Sequence, residues 1–245
     1  MHARTLVAAA FVAASAALAA CSSDNVLGLG VAGTGGPTPN PDTLTSARIR
    51  VVNATVVSLD VATGGVVSTG NGTIVFGTSS SCINTNATSP NLTVRISGTS
   101  TTVPGFTTGF QSGVKYTVIA YPGTGSGILF ANLNDTFTPV SGQSGFRVFN
   151  GGNVGSSYDV YVTAPGAALS VAVPAAAAVT AGTSSNFFGV STTINQRVTV
   201  TIAGSKTVLL DVGNVAFVAG LNFTLVIAPP LPGSATPRAF LSASC

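Results

Sequence analysis

Arg50-Val51-Val52-Asn53 and Arg147-Val148-Phe149-Asn150 are one four-residue phrase written twice, 97 positions apart. Three further matches follow in the same order. Leu59-Asp60-Val61 matches Tyr158-Asp159-Val160, Leu92-Thr93-Val94-Arg95-Ile96 matches Val198-Thr199-Val200-Thr201-Ile202, and Gly113-Val114-Lys115-Tyr116-Thr117 matches Gly220-Leu221-Asn222-Phe223-Thr224. The offset grows from 97 to 107 along the series, as loop insertions make it do. Ordered matches of this kind predict two copies of one domain of about 100 residues, the size of an immunoglobulin-like sandwich.

The matched segments have strand character. Leu92, Val94 and Ile96 alternate with Thr93, Arg95 and Ser97, and Val198, Val200 and Ile202 alternate with Arg197, Thr199 and Thr201, which is the two-residue period of a half-buried strand. Gly, Asn or Pro ends each run, and no window carries a sustained helical stripe with caps. The expectation is an all-β chain of two tandem immunoglobulin-like β-sandwich domains, residues 46–140 and 141–245, behind a signal peptide and a flexible linker.

Upstream of the repeats, Arg4 precedes a 15-residue run from Leu6 to Ala20 that ends Leu18-Ala19-Ala20-Cys21. A short apolar segment closed by small residues is a secretion signal, too short for a comfortable membrane span. The cysteine directly behind it predicts a lipidation site: residues 1–20 are the leader, and Cys21 is the acylated first residue of the mature chain. Ser22, rather than Asp, at the next position suits an outer-membrane lipoprotein. Residues 22–45 are rich in Ser, Gly, Thr, Pro and Asn, and end in Pro37-Thr38-Pro39-Asn40-Pro41. They read as a tether whose reach is roughly 25 to 30 Å. Gly28-Leu29-Gly30-Val31-Ala32-Gly33 matches a dinucleotide-binding fingerprint by letter, but it lacks the preceding strand and following helix that a phosphate cradle needs.

Removing residues 1–20 leaves 225 residues with no His, Glu, Met or Trp, and with six Asp, two Lys, four Tyr and three Cys. General acid–base chemistry would have to run on what remains. Ser-His-Asp, Cys-His and histidine-ligated zinc sites are excluded. Charged residues make up 6% of the chain against 45% hydrophobic, and the eight cations of the mature chain are scattered singly, which makes nucleic acid a poor partner. No cofactor is expected.

Cys82 and Cys245 form an even pair in an oxidising compartment and are expected to bond. Asp60 and Asp159 occupy matching positions, which invites a catalytic-dyad reading. Neither is followed by the Thr-Gly or Ser-Gly turn that presents such a carboxylate. Each is expected instead to tether a strand end near the Arg50 or Arg147 of its own copy. Tyr116, Tyr121, Tyr158 and Tyr161 are expected mainly in the cores.

The opening Ala47-Arg48-Ile49-Arg50-Val51-Val52-Asn53-Ala54, the Asp-Val of each copy, and the link from Leu133-Asn134-Asp135 through Gly145-Phe146-Arg147-Val148 resemble the bacterial family called Domain of Unknown Function 4397, across residues 46 to 245. The resemblance implies exported, often tandem β-sandwich modules without an assigned activity. The chain departs from that family's Ser-Pro-Asp-Ala-Pro-like turn after the first strand, having Thr55-Val56-Val57 and Gly151-Gly152-Asn153 instead. Taken together, the residues predict a non-catalytic envelope lipoprotein, held to the bilayer through Cys21, that binds a protein or glycan partner. The alternative is a hydrolase or lyase built on Asp, Lys, Ser or Tyr, for instance around Lys115 or Lys206.

Overall fold

The computed structural model describes residues 46–67, 72–87, 90–106, 109–125 and 127–245. The expected leader, the expected lipidation site Cys21 and the expected tether lie outside them. The first copy supplies β1 (Ser46–Asn53), β2 (Leu59–Thr63), β3 (Val66–Val67), β4 (Ile83–Asn86), β5 (Leu92–Ile96), β6 (Lys115–Pro122) and β7 (Ile128–Asn134). The second supplies β8 (Gln143–Asn150), β9 (Ser157–Thr163), β10 (Ala176–Thr180), β11 (Phe188–Ser191), β12 (Gln196–Ile202), β13 (Val208–Val215), β14 (Asn222–Ala228) and β15 (Arg238–Ala243). The chain is all-β, in two sandwich-like units.

Each unit has an outer and an inner sheet. The outer sheets run β3-β2-β5 and β10-β9-β12-β13, and the inner sheets run β4-β1-β6-β7 and β11-β8-β14-β15. The first strand of each unit pairs in parallel with its penultimate strand: Arg50 stands opposite Thr117 on β6, and Arg147 opposite Thr224 on β14. This order differs from the immunoglobulin constant-type arrangement, in which the first strand shares a sheet with the second, fifth and fourth. Here the first strand has moved to the other sheet. The repeat fixed the number of units and left this connectivity open, because strand patterns do not record neighbours.

Ile49, Val51, Leu59, Val61, Val94 and Val118 fill the first sandwich. Phe146, Val148, Val160, Val198, Val200 and Leu225 fill the second. A third cluster, containing Val52, Ile119, Phe149, Val226 and Phe240, joins the outer faces of the two inner sheets. On β1, Ile49 and Val51 point into the sandwich while Val52 points to the seam; on β8, Phe146 and Val148 point in while Phe149 points to the seam. The inner strands are therefore covered on both faces, and β14 is buried at all seven positions. The molecule is a four-layer stack, with each buried Val or Phe of the seam contributing about 1.5 to 3 kcal/mol.

The duplication extends to polar detail. Asn53 closes the turn after β1 by donating to Val57 O and Ile74 O, at 2.7 and 2.8 Å, and by accepting from the Thr55 N–H. Asn150 closes the turn after β8 by donating to Val179 O at 2.9 Å and accepting from the Gly152 N–H. An asparagine at each first-strand end thus performs the same turn closure in both units.

Candidate functional site at the seam between the inner sheets

The seam places ionic groups where the alternation of β1 and β8 directs them: Arg50 and Arg147 follow inward-facing Ile49 and Phe146 and so project away from their own sandwiches. Arg147 reaches the end of the first unit. Its Nε donates to Thr224 Oγ1 at 2.9 Å, one terminal nitrogen donates to Asn134 O at 2.7 Å, and the other pairs with the Asp135 carboxylate. Thr117 Oγ1 donates to the second oxygen of Asp135 at 2.8 Å. The side chains of the pair are 4% and 0% exposed. Burial pushes the Asp135 carboxyl up from its ordinary value, against the opposing pull of Arg147 and Thr117. Burial likewise lowers the Arg147 guanidinium, with Asp135 opposing. Desolvation is thus the largest influence on both partners, the cost that any charged pair meets on leaving water.

Arg50 makes the reciprocal contact. It donates to Ala243 O at the end of the second unit and lies 3.2 Å from Cys82 Sγ. Asn134 stands opposite Tyr116, and Ala243 opposite Phe223, in the two inner sheets, so the carbonyls that receive Arg147 and Arg50 are equivalent. Residue reaches residue and is reached in turn, as in an isologous dimer, although both halves belong to one chain.

The two ends of the seam are closed differently. At one, a disulfide joins Cys82 to Cys245. At the other, Phe187, the positional twin of Cys82, stacks on Phe137 of the interdomain link at 5.2 Å and lies under the Arg147 guanidinium at 4.4 Å. Asn222 Nδ2 holds the link by donating to Asp135 O and Phe137 O, at 3.1 and 2.7 Å. Gly145, opposite Asn222, makes room for this: a Cβ there would fall 2.1 Å from Asn222 Oδ1 and 2.6 Å from Phe137.

Asp60 and Asp159 do tether strand ends, but not through the arginines of their copies. Asp60 accepts from Thr73 Oγ1 and the Gly98 N–H, at 3.0 and 3.3 Å. Asp159 accepts from the Ala178 and Gly204 N–H groups, at 2.7 and 2.8 Å. Gly98 and Gly204 have φ of 73° and 76°, turns that suit glycine, and each carboxylate caps the turn after β5 or β12. The expected arginine pairing fails because β2 and β9 lie in the outer sheets while Arg50 and Arg147 face the seam. The two aspartates are accordingly in different units and do not meet.

Lys206 donates to Ala172 O and sits 4.5 Å above the Tyr161 ring. Tyr116 and Tyr158 are in the two sandwich cores, and Tyr121 packs on Phe149 at the seam, 5.2 Å between centroids. Lys115 lines a cavity of about 350 Å³ with Asp135, Asn222 and Ser244. A second cavity, of about 430 Å³, opens beside Arg50 and is walled by Val52, Phe223, Phe240 and Leu241. Among the described residues, no cluster of three His, Cys, Asp or Glu side chains could hold a metal ion, and no helix is long and apolar enough to cross a membrane.

Sequence reading missed the seam itself. Its one signal is the pair Val52 and Phe149, apolar at positions that a two-layer sandwich would turn to solvent. No family model matches the chain, and no curated protein matches it.

Proposed function

We propose that the chain is a cell-envelope lipoprotein, anchored in the membrane through acylated Cys21, whose fused pair of sandwiches serves a structural or binding role rather than a catalytic one. The observation that carries this reading is Leu18-Ala19-Ala20-Cys21 directly behind the apolar run from Leu6. Diacylglycerol on the thiol together with an amide-linked chain holds far more firmly than a single acyl chain, at about 0.8 kcal/mol per buried CH₂. The body beyond the leader has no His or Glu, which leaves a binding module the simplest use of its surface. Ser22 favours the outer membrane as address, and the strand motifs that resemble Domain of Unknown Function 4397 favour a tandem exported module. A protein or glycan of the envelope is the partner class that suits a sparsely charged, Ser- and Thr-rich sandwich held at the membrane.

The test is fractionation of cells that make the full chain, with mass measurement of the mature amino-terminal peptide. The wild type should partition with membranes and carry acyl mass on Cys21, and Cys21→Ala should be released. Equal membrane partition of Cys21→Ala would overturn the anchoring. The competing hydrolase or lyase reading rests on Lys115 beside Asp135 and Ser244. It requires Lys115→Ala to abolish whatever function the purified lipoprotein supports, whereas a binding module retains partner capture.

A further inference from the structure

Beyond the ends of β1 and β8, the two units close the edge of the seam unequally. Gly77 and Gly182 are positional twins, since their N–H groups donate to Asn53 O and Asn150 O, at 2.8 and 2.7 Å. The residues before them, Phe76 and Ala181, are therefore twins as well. With Phe223 matching Tyr116, the register of the inner sheets equates Arg238 with Leu129 and Phe240 with Ala131. In the first position, Phe76 fills the edge: its ring meets Phe240 edge-on at 5.9 Å and lies under the Arg238 guanidinium at 3.9 Å. In the second, the Tyr121 ring takes the place of Phe240, because a Cβ on Gly182 would meet that ring at 3.8 Å, and one on Gly77 would meet Phe240 at the same distance. Nothing takes the place of Phe76, since Ala181 ends at its methyl group. What remains is a cavity of about 300 Å³, at the lower end of the range of small-molecule sites, with Tyr121, Leu129, Val154 and Ala181 among its walls. Val154 comes from a turn of five residues, Gly152 to Ser156, where the hydrogen bonds of Asn53 enclose only three, Thr55 to Val57. Leu129 and Val154 are 48% and 81% exposed, so the mouth presents apolar surface, and none of the described residues that line the cavity is charged.

We propose that this cavity binds a small uncharged molecule carrying one phenyl ring. The ring takes the place at Tyr121 that Phe76 takes at Phe240, edge to face, and Leu129 stands where Arg238 covers that ring in the duplicate. A charged group would lose its water there without gaining a partner, and an aliphatic group would fill the space without the edge-to-face attraction. The proposal is independent of the anchoring at Cys21, since it concerns the folded body alone.

Methyl NMR titration of the full-length lipoprotein in detergent, followed at Leu129 and Val154, tests it with N-acetylphenylalaninamide and N-acetylleucinamide as probes. The phenyl probe should shift both sets of methyl signals saturably, whereas its partition into micelles does not saturate. The leucine analogue should bind about two- to tenfold more weakly, the ratio that an edge-to-face contact supplies beyond buried area. Ala181→Phe gives the second unit the ring that the first already carries, so it should raise the thermal midpoint and abolish the saturable shift. Leu129→Ser, at a half-exposed position, keeps the question answerable even if Ala181→Phe does not fold. Followed at Val154, it should weaken the phenyl probe at least about threefold, through the apolar wall it removes. Affinity for the phenyl probe unchanged in either variant, equal affinity for the leucine analogue, or no saturable shift in the wild type would each overturn the assignment.

Discussion

Arg147 on the first strand of the second sandwich and Asp135 at the end of the first are joined in a buried ion pair, with Thr224 and Thr117 at its two ends. Such a pair costs desolvation on both sides, and its geometry offsets that cost only while both members are present. Arg147→Ala should therefore destabilise the fold by about 3 to 5 kcal/mol, because Asp135 is left buried and uncompensated. The double variant Arg147→Met with Asp135→Leu should recover most of that loss. Urea unfolding of Arg147→Ala and of the double variant checks this, and a double variant as unstable as Arg147→Ala would show that the pair adds net stability.

Cys82–Cys245 and the Phe137–Phe187 stack close opposite ends of the same seam. The disulfide spans 163 residues, for which loop-closure entropy gives roughly 5 kcal/mol as an upper bound, and typical bonds contribute about 2 to 4. Cys82→Ala with Cys245→Ala should lower stability within that typical range yet leave a folded chain, since Phe76 on Phe240 at 5.9 Å and Arg50 on Ala243 still hold β15 to the first unit. Amide exchange should accelerate in residues 239–243 and remain unchanged in the link at 135–138. Equal acceleration at both places would show that the two closures act as one.

Asp60 and Asp159 perform one task in two outer sheets and share no partner. Asp60→Ala and Asp159→Ala should each cost about 1 to 3 kcal/mol through lost bonds to a charged acceptor. Their effects should add in the double variant, as they do for independent sites. Asp159 also holds Ala178, whose φ of 48° is left-handed, at an irregularity where β10 shifts register against β9. Ala178→Gly should gain about 1 kcal/mol in the wild type by removing that strain. Denaturant midpoints decide both points, and a loss of stability in Ala178→Gly would show that the residue's own packing outweighs its backbone strain.

The duplicated phrase made the two units legible, because a strand's period and a repeated Arg-Val-x-Asn are local facts. The strand order was not, since nothing in β1 names β4 and β6 as its neighbours. The seam was hidden for a related reason. Arg50, Val52 and Thr117 occupy alternate positions that a two-layer reading gives to solvent, and only a second sandwich seated on them makes those positions interior. Asp135 was the hardest of all to see: its twin is Ser244, so the comparison of repeats that reveals the fold passes over an acid that the copies do not share.

Two carboxyls give the chain opposite pH responses. Burial holds Asp135 above its ordinary value, so the folded chain keeps a proton that the unfolded chain has released. Its contribution to stability is complete below the usual carboxylate range of about 4 and is lost as pH rises through the folded-state value. Asp211 runs the other way. The hydrogen bond from Arg197, at 2.7 Å, holds it below its ordinary value, so its contribution is present above that range and is lost as pH falls. The Arg197–Asp211 pair is exposed, at 37% and 40%, and its effect should be the smaller and should shrink in salt. Thermal midpoints between about pH 3 and about pH 7 should therefore fall less steeply on the alkaline side in Asp135→Asn and on the acid side in Asp211→Asn than in the wild type. An Asp135→Asn profile parallel to the wild type would mean that Arg147 and Thr117 outweigh burial, and that the seam holds a fully ionised pair throughout.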